Sequence, residues 1–213
     1  MTQALTLVGR SSSHFTRVAR LYAAELGVPH DFSPVLALAS TQSATFADNP
    51  ALRVPSLRTP EGTWFGSLNI CRELARRSPI EATLVWPEDL LRPLTANAQE
   101  LTLEGMAAEV TVVMGRLAGL TDEHPALEKP FARARGCARW LDANLDRALA
   151  CLPERRLSFL EVTAYCFATH LEFRQLLSLA ELPRLHAFTT AFGARPAAQA
   201  TAYGFDQPPA SPS

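Results

Sequence analysis

Between Leu5 and Leu26 a short apolar run, a glycine, three consecutive serines and an amphipathic segment follow one another. No other part of the chain restricts the fold as much. The run Leu5–Val8 reads as a strand and Gly9 as its break. Phe15, Val18, Ala19, Tyr22 and Leu26 then recur at the i, i+3, i+4, i+7 spacing that puts apolar side chains on one face of a helix. Gly27, followed by Pro29, stands where a helix C′ residue is expected. Ser11, Ser12 and Ser13 precede the first helical turn, whose backbone N–H groups have no partner within the helix and favour a nearby anion. A serine in that place can cap the helix, or it can donate its hydroxyl to a bound anion such as a thiolate.

Further along, His30–Val35 reads as a second strand. Residues 36 to 52 lack regular periodicity and predict a loop with a short irregular helix. Leu52–Leu57 and Thr63–Phe65 predict two short strands joined through Pro60–Gly62. A helix begins at Ser67, with Ile70, Cys71, Leu74 and Ala75 inward and Arg72, Glu73, Arg76 and Arg77 outward. The order β-α-β, irregular stretch, β-β-α makes a small sheet with helices against it over residues 1–80. Its core is small, so it should gain stability by packing on the remainder of the chain.

Ser78-Pro79 and Trp86-Pro87 bracket an aperiodic segment read as a linker. Beyond it the pattern is helical over residues 88–203. A long helix spans 88 to 118 and carries Leu94, Leu101, Val110, Val113, Met114 and Leu117, with Pro93, Gly105 and Gly115 as points of bending or irregular start. Residues 126 to 150 hold Phe131, Ala134, Ala138, Leu141, Leu145 and Leu149 at helical spacing. Ser158 and Glu161 form a capping box ahead of a helix reaching about Phe173 that is apolar nearly all round, a pattern suited to the centre of a bundle. Another helix follows Pro183, and residues 204–213 read as a disordered tail.

Composition narrows the function classes. A net charge of −1 in 213 residues offers no electrostatic basis for binding nucleic acid or an anionic membrane. No apolar run is long enough to span a bilayer. The N-terminal residues lack the basic start and apolar core of a signal peptide, and a cytoplasmic location is expected. Cys71, Cys137, Cys151 and Cys166 are widely separated and read as free thiols. The isolated histidines His30, His124, His170 and His186 lack ligand spacing, so no metal is expected. There is no glycine-rich phosphate loop.

Taken together, these residues resemble the cytosolic glutathione S-transferases, and in particular bacterial members of the serine type. The segment Ser13–Arg20 looks like their Ser-Pro-Phe-x-Arg-x-x-Arg opening. Asn49-Pro50, Arg53–Leu57, Gly62-Thr63 and Ser67-x-x-Ile70 look like the stretch holding the family's cis-proline and the start of its third helix. Ser158-x-x-Glu161 resembles its capping box. The likeness runs over roughly residues 4 to 200. It implies an α/β plus all-α fold, in which a thioredoxin-like N-terminal domain precedes an all-helical bundle.

The resemblance also implies a site. Ser13 matches the serine that stabilises the glutathione thiolate, with Ser12 and Ser11 as alternates. Val54, before Pro55, matches the residue whose backbone pairs with the cysteinyl part of glutathione, and Arg53 belongs to the same segment. Ser67, preceded by Gly66, matches the serine receiving the γ-glutamyl carboxylate. A free cysteine thiol has a pKa near about 8.5, and a hydroxyl donor at a helix N-terminus raises its thiolate fraction. The implied chemistry is attack of that thiolate on a hydrophobic electrophile, as in detoxification, by a homodimer with glutathione as co-substrate.

Two positions depart from the family's pattern. Most members carry Glu or Asp where this chain has Gly66, and a charge-assisted hydrogen bond of about 1.5–3 kcal/mol is worth roughly 10- to 150-fold in binding. His14 replaces the usual proline, with its side chain directed to solvent or to the active site. No cysteine stands at the helix start, where members acting through a mixed disulfide carry one. The alternative to an enzyme is therefore a non-catalytic binding or interaction module of the same fold.

Overall fold

A computed structural model of the chain describes residues 5–207. Contacts divide it into two units, one formed by the described residues up to Glu81 together with those from Pro196 onward, the other by Ala82–Arg195.

The first unit holds strand β1 (Thr6–Gly9), helix α1 (His14–Glu25), β2 (Asp31–Pro34), β3 (Ser56–Thr59), β4 (Gly62–Phe65) and helix α2 (Ser67–Arg76). The sheet order is β2-β1-β3-β4. β1 and β2 run parallel, joined by α1, and β3 runs antiparallel to both β1 and β4. This is the thioredoxin-like arrangement expected from the order of apolar runs. Parallel neighbours need a crossover, and α1 supplies it.

Side chains alternate across the sheet. Val8 packs with Val35, Phe46 and Ala47, so the irregular segment after β2 covers one sheet face. Leu7 and its cross-strand partner Leu57 are buried on the other. In α1, Val18, Ala19, Tyr22 and Leu26 are buried as their spacing predicts, and Gly27 takes φ +63° as the C′ residue.

Two expectations for this unit change. The third strand begins at Ser56 rather than Leu52, because residues 47 to 55 are taken up by turns, with Ala47, Asp48 and Leu52 at positive φ. Glu73 is buried rather than outward, since Arg76 and Arg77 at i+3 and i+4 both donate to its carboxylate.

The second unit consists of β5 (Leu84–Val85), α3 (Pro93–Leu117), α4 (Pro125–Ala150), β6 (Leu157–Ser158), α5 (Phe159–Phe173) and α6 (Pro183–Gly193). The segment read as a linker contains β5, which pairs in parallel with β6. Pro93 is the first residue of α3 and does not bend it, and Gly105 and Gly115 lie within one uninterrupted helix. Apolar α5 is the most enclosed helix of this unit. Val162, Ala164, Cys166, Phe167, Ala168 and Leu171 have no exposed surface. The capping box is present as read: Ser158 Oγ accepts from Glu161 N–H, and the Glu161 carboxylate accepts from Ser158 N–H. On α3, Val110, Met114 and Leu117 are exposed.

Helix α7 (Pro196–Ala200) and residues 201 to 207 belong to the first unit. The second compact unit ends at Arg195, and the helix that follows it is counted with the first. The tail expected from 204 has its first residues placed against the start of α1, with Ser11 N–H donating to Asp206 Oδ2 at 2.9 Å. The rest of that reading lies outside the described residues.

Candidate functional site

The register of the sheet gathers three separate loops at one end of its strands. Val8 near the end of β1 faces Ser56 at the start of β3, and Ser56 faces Phe65 at the end of β4. The segment after β1 (Ser11–Ser13), the segment before β3 (Arg53–Pro55) and the segment after β4 (Gly66–Ser67) consequently leave the sheet together. Two hydrogen bonds join them. Gly66 N–H donates to Pro55 O at 3.4 Å, and Ser67 Oγ donates to Phe15 O, in the first turn of α1, at 2.9 Å.

Ser13 is the N-cap of α1, and its hydroxyl oxygen accepts from Thr16 N–H at 3.3 Å. A hydroxyl has one proton and two lone pairs, so accepting that bond leaves the O–H able to donate outward. Before it, Ser13 N–H donates to Arg10 O at 3.0 Å and closes a four-residue turn with Ser11 and Ser12 at its centre. Ser12 is buried, whereas Ser11 and Ser13 are half-buried. His14 is buried, its ring 4.7 Å from that of Phe15, so the solvent-facing alternative for this side chain does not hold.

The Val54–Pro55 peptide is cis. Buried Asn49 holds the approach to it: its Nδ2 donates to Arg53 O at 3.0 Å, and its Oδ1 accepts from Ala51 N–H. The Val54 side chain packs toward the Val8–Phe46 cluster, and among the described residues no main-chain hydrogen bond engages its N–H or C=O. Arg53 is exposed.

Gly66 is the exposed N-cap of α2 and provides no capping side chain. Its φ of +81° is a conformation glycine adopts freely. Ser67 is buried, and its proton is committed to Phe15 O. What this end of α2 can offer an anion is therefore backbone N–H groups of the first turn, assisted by the helix dipole.

Behind the serine turn lies a set of groups with no local signal in the sequence. Arg17, only 4% exposed, donates from Nη2 to Ala198 O at 3.1 Å, and its guanidinium stacks 4.3 Å over the Tyr203 ring. Arg20 stacks over Phe32. Burial holds the Arg20 pKa below its ordinary value, with Arg17 acting in the same direction and Asp206 against it. Arg17 and Arg20 are part of the opening motif, but nothing in that motif gives their partners, and those of Arg17 lie nearly a full chain length away. The importance of Asn49 was likewise visible only as part of Asn49-Pro50.

Residues 7–82 match the family described as glutathione S-transferase, N-terminal domain. Among solved structures, the fold is similar to a glutathione S-transferase of Methylobacillus flagellatus KT with glutathione bound, at TM-score 0.74 and 22% identity, covering 94% of this chain and 100% of that one. It is also similar to one from Methylobacterium radiotolerans in complex with glutathione sulfonate, at TM-score 0.70 and 20% identity, covering 98% and 99%. A glutathione transferase family member from Pseudomonas fluorescens Pf-5, with S-(propanoic acid)-glutathione bound, matches at TM-score 0.70 and 19% identity over 96% and 100%. No curated protein sequence matches this one. Among the described residues, no helix is long and apolar enough to cross a membrane.

Proposed function

We propose that this chain, which joins a glutathione S-transferase N-terminal domain to a helical C-terminal domain, is a serine-type glutathione transferase. The observation that carries the reading is the Ser13 hydroxyl. It stands at the positive end of α1 with its acceptor side used by Thr16 N–H and its proton left for a bound thiolate. The Val54 main chain then receives the cysteinyl part of glutathione beside cis-Pro55. The γ-glutamyl carboxylate meets the first-turn N–H groups of α2, which Ser67 locks against α1. Arg53 lies on the exposed rim of the same site.

In this mechanism the thiol releases its proton to solvent water as glutathione binds. The Ser13 O–H donates to the sulfur, and the α1 N-terminus lowers the energy of the negative charge. The thiolate forms a carbon–sulfur bond to a hydrophobic electrophile, and the leaving group departs with the electron pair. Detoxification, a homodimeric assembly and a cytoplasmic setting complete the proposal.

The test is calorimetric titration of glutathione into the wild-type protein and Ser13→Ala, with ultraviolet absorbance of the bound thiolate followed in both. Micromolar-to-millimolar binding with thiolate absorbance lost in Ser13→Ala is the expected result. Thiolate absorbance retained in that variant moves the role to Ser12 or Ser11.

One observation favours the second reading, a non-catalytic module. Position 66 has no carboxylate for the γ-glutamyl ammonium. Absence of binding at several millimolar glutathione decides for it.

A further inference from the structure

The turn that presents Ser13 cannot itself satisfy the main-chain donor of its second residue. In a turn closed from Ser13 N–H to Arg10 O, the N–H of the second residue points away from the closing bond. Here that donor is Ser11 N–H, and its partner comes from the far end of the chain: Asp206 Oδ2, at 2.9 Å. Arg10 N–H is held separately by Thr16 Oγ1 at 3.3 Å. The Arg10 and Ser13 donors are therefore satisfied locally, while that of Ser11 depends on a residue 195 positions away.

Asp206 is delivered by a segment with anchors of its own. Arg17 Nη2 donates to Ala198 O, and the Arg17 guanidinium lies over Tyr203. The negative charge of Asp206 also opposes the mutual repulsion of Arg17 and Arg20 behind the turn. The carboxylate thus meets two needs of one locality, a hydrogen-bond acceptor for the turn and a counter-charge for the arginines.

We propose that Asp206 is a positioning residue for the thiol-activating hydroxyl: by accepting Ser11 N–H it sets the turn from which Ser13 faces glutathione. This rests on the reading of Ser13 as the thiolate donor. Asp206 touches neither glutathione nor the electrophile; it acts through the backbone of Ser11. Its effect falls on how well the hydroxyl is aimed, and so on the acidity of the bound thiol more than on glutathione affinity.

The experiment compares the wild-type chain with Asp206→Ala and Asp206→Asn, using thiolate absorbance of bound glutathione against pH, calorimetric affinity, and amide hydrogen exchange at Ser11 without ligand. Asp206→Ala is expected to raise the apparent thiol pKa by about one unit, a tenfold loss of thiolate at a fixed lower pH. Its glutathione affinity should stay within about threefold of wild type, since the binding contacts remain, and Ser11 exchange should quicken. Asp206→Asn keeps an acceptor oxygen and should restore the wild-type pKa.

An unchanged thiol pKa in Asp206→Ala, or Ser11 exchange that does not quicken, overturns the proposal while leaving the transferase reading intact. So does Asp206→Asn falling as far as Asp206→Ala, because the charge and not the turn would then carry the effect. A wild-type protein that binds no glutathione overturns the transferase reading itself, and this role with it.

Discussion

Gly105 of α3 lies against the tip of the Phe167 ring of α5: a Cβ at position 105 would stand 2.5 Å from Phe167 Cζ and 2.8 Å from Cε2. Phe167 has no exposed surface, so its ring cannot swing away as a flexible side-chain end would. The glycine is there for close approach of two helices, and its low helix propensity is outweighed by the packing it allows. Gly105→Ala is expected to destabilise the protein by about 1–3 kcal/mol through overpacking. Thermal unfolding should show a lower midpoint, and Gly105→Ala combined with Phe167→Leu should recover part of it. Equal midpoints for wild type and Gly105→Ala would refute the packing argument.

At the start of α5, one carboxylate serves four donors. Glu161 accepts from Ser158 N–H at 3.0 Å and Ser158 Oγ at 2.7 Å, and from Arg155 Nε and Nη2 at 2.8 and 2.7 Å. The Arg155 contact is bidentate and largely shielded from solvent. Glu161→Ala removes the cap and leaves Arg155 without its counter-ion, for an expected loss of about 1–3 kcal/mol. Ser158→Ala, which retains the ion pair, should lose less. Denaturant unfolding of both variants checks the order, and the reverse order would show that the hydroxyl and not the carboxylate dominates.

The capping box and the inner face of α1 were legible in the sequence because both are set by residues within two turns of one another. Glu73 was misplaced by the same local logic: amphipathic spacing assigns an acid to solvent, while two arginines at i+3 and i+4 neutralise it and allow burial. The β5–β6 pair left no trace, since two-residue strands carry no periodicity and their partners are far apart in sequence. The start of β3 slipped from Leu52 to Ser56 because apolar content alone does not report turns at Ala47, Asp48 and Leu52. At the candidate site, resemblance supplied Ser13, Val54, Pro55 and Ser67. It could not supply Asp206, whose hydrogen bond to Ser11 exists only after the chain has folded back.

Gly66 gives the transferase reading a gain-of-function test. A Cβ at this position meets nothing within 4 Å, so a longer side chain has room. The φ of +81° costs a non-glycine residue about 1–2 kcal/mol of stability, with or without ligand. Gly66→Glu should therefore lower the unfolding midpoint yet tighten glutathione binding by about tenfold or more, through a charge-assisted bond to the γ-glutamyl ammonium. Calorimetry on both proteins measures this. Binding that is unchanged or weaker would mean the ammonium does not reach position 66.

Stability should also depend on pH through a buried acid on α3. Glu109 has no exposed surface, and its Oε1 lies 3.2 Å from Nδ1 of His170, itself 3% exposed. Burial raises the Glu109 pKa well above its ordinary value, with the positive charge of Arg174 opposing the shift only in part. In the folded chain the carboxyl therefore holds its proton over a pH range where the unfolded chain has released it. The native state binds more protons there, and stability falls as pH rises. The contribution is complete below the ordinary glutamate range and is lost progressively as pH climbs through the raised folded value. Glu109→Gln keeps the size and a donor toward His170 but cannot ionise. Denaturant unfolding of wild type and Glu109→Gln across acid to neutral pH should give two curves that converge at low pH and separate above it, the variant being the more stable at neutral pH. A gap that stays constant with pH would show that Glu109 does not change its protonation on unfolding.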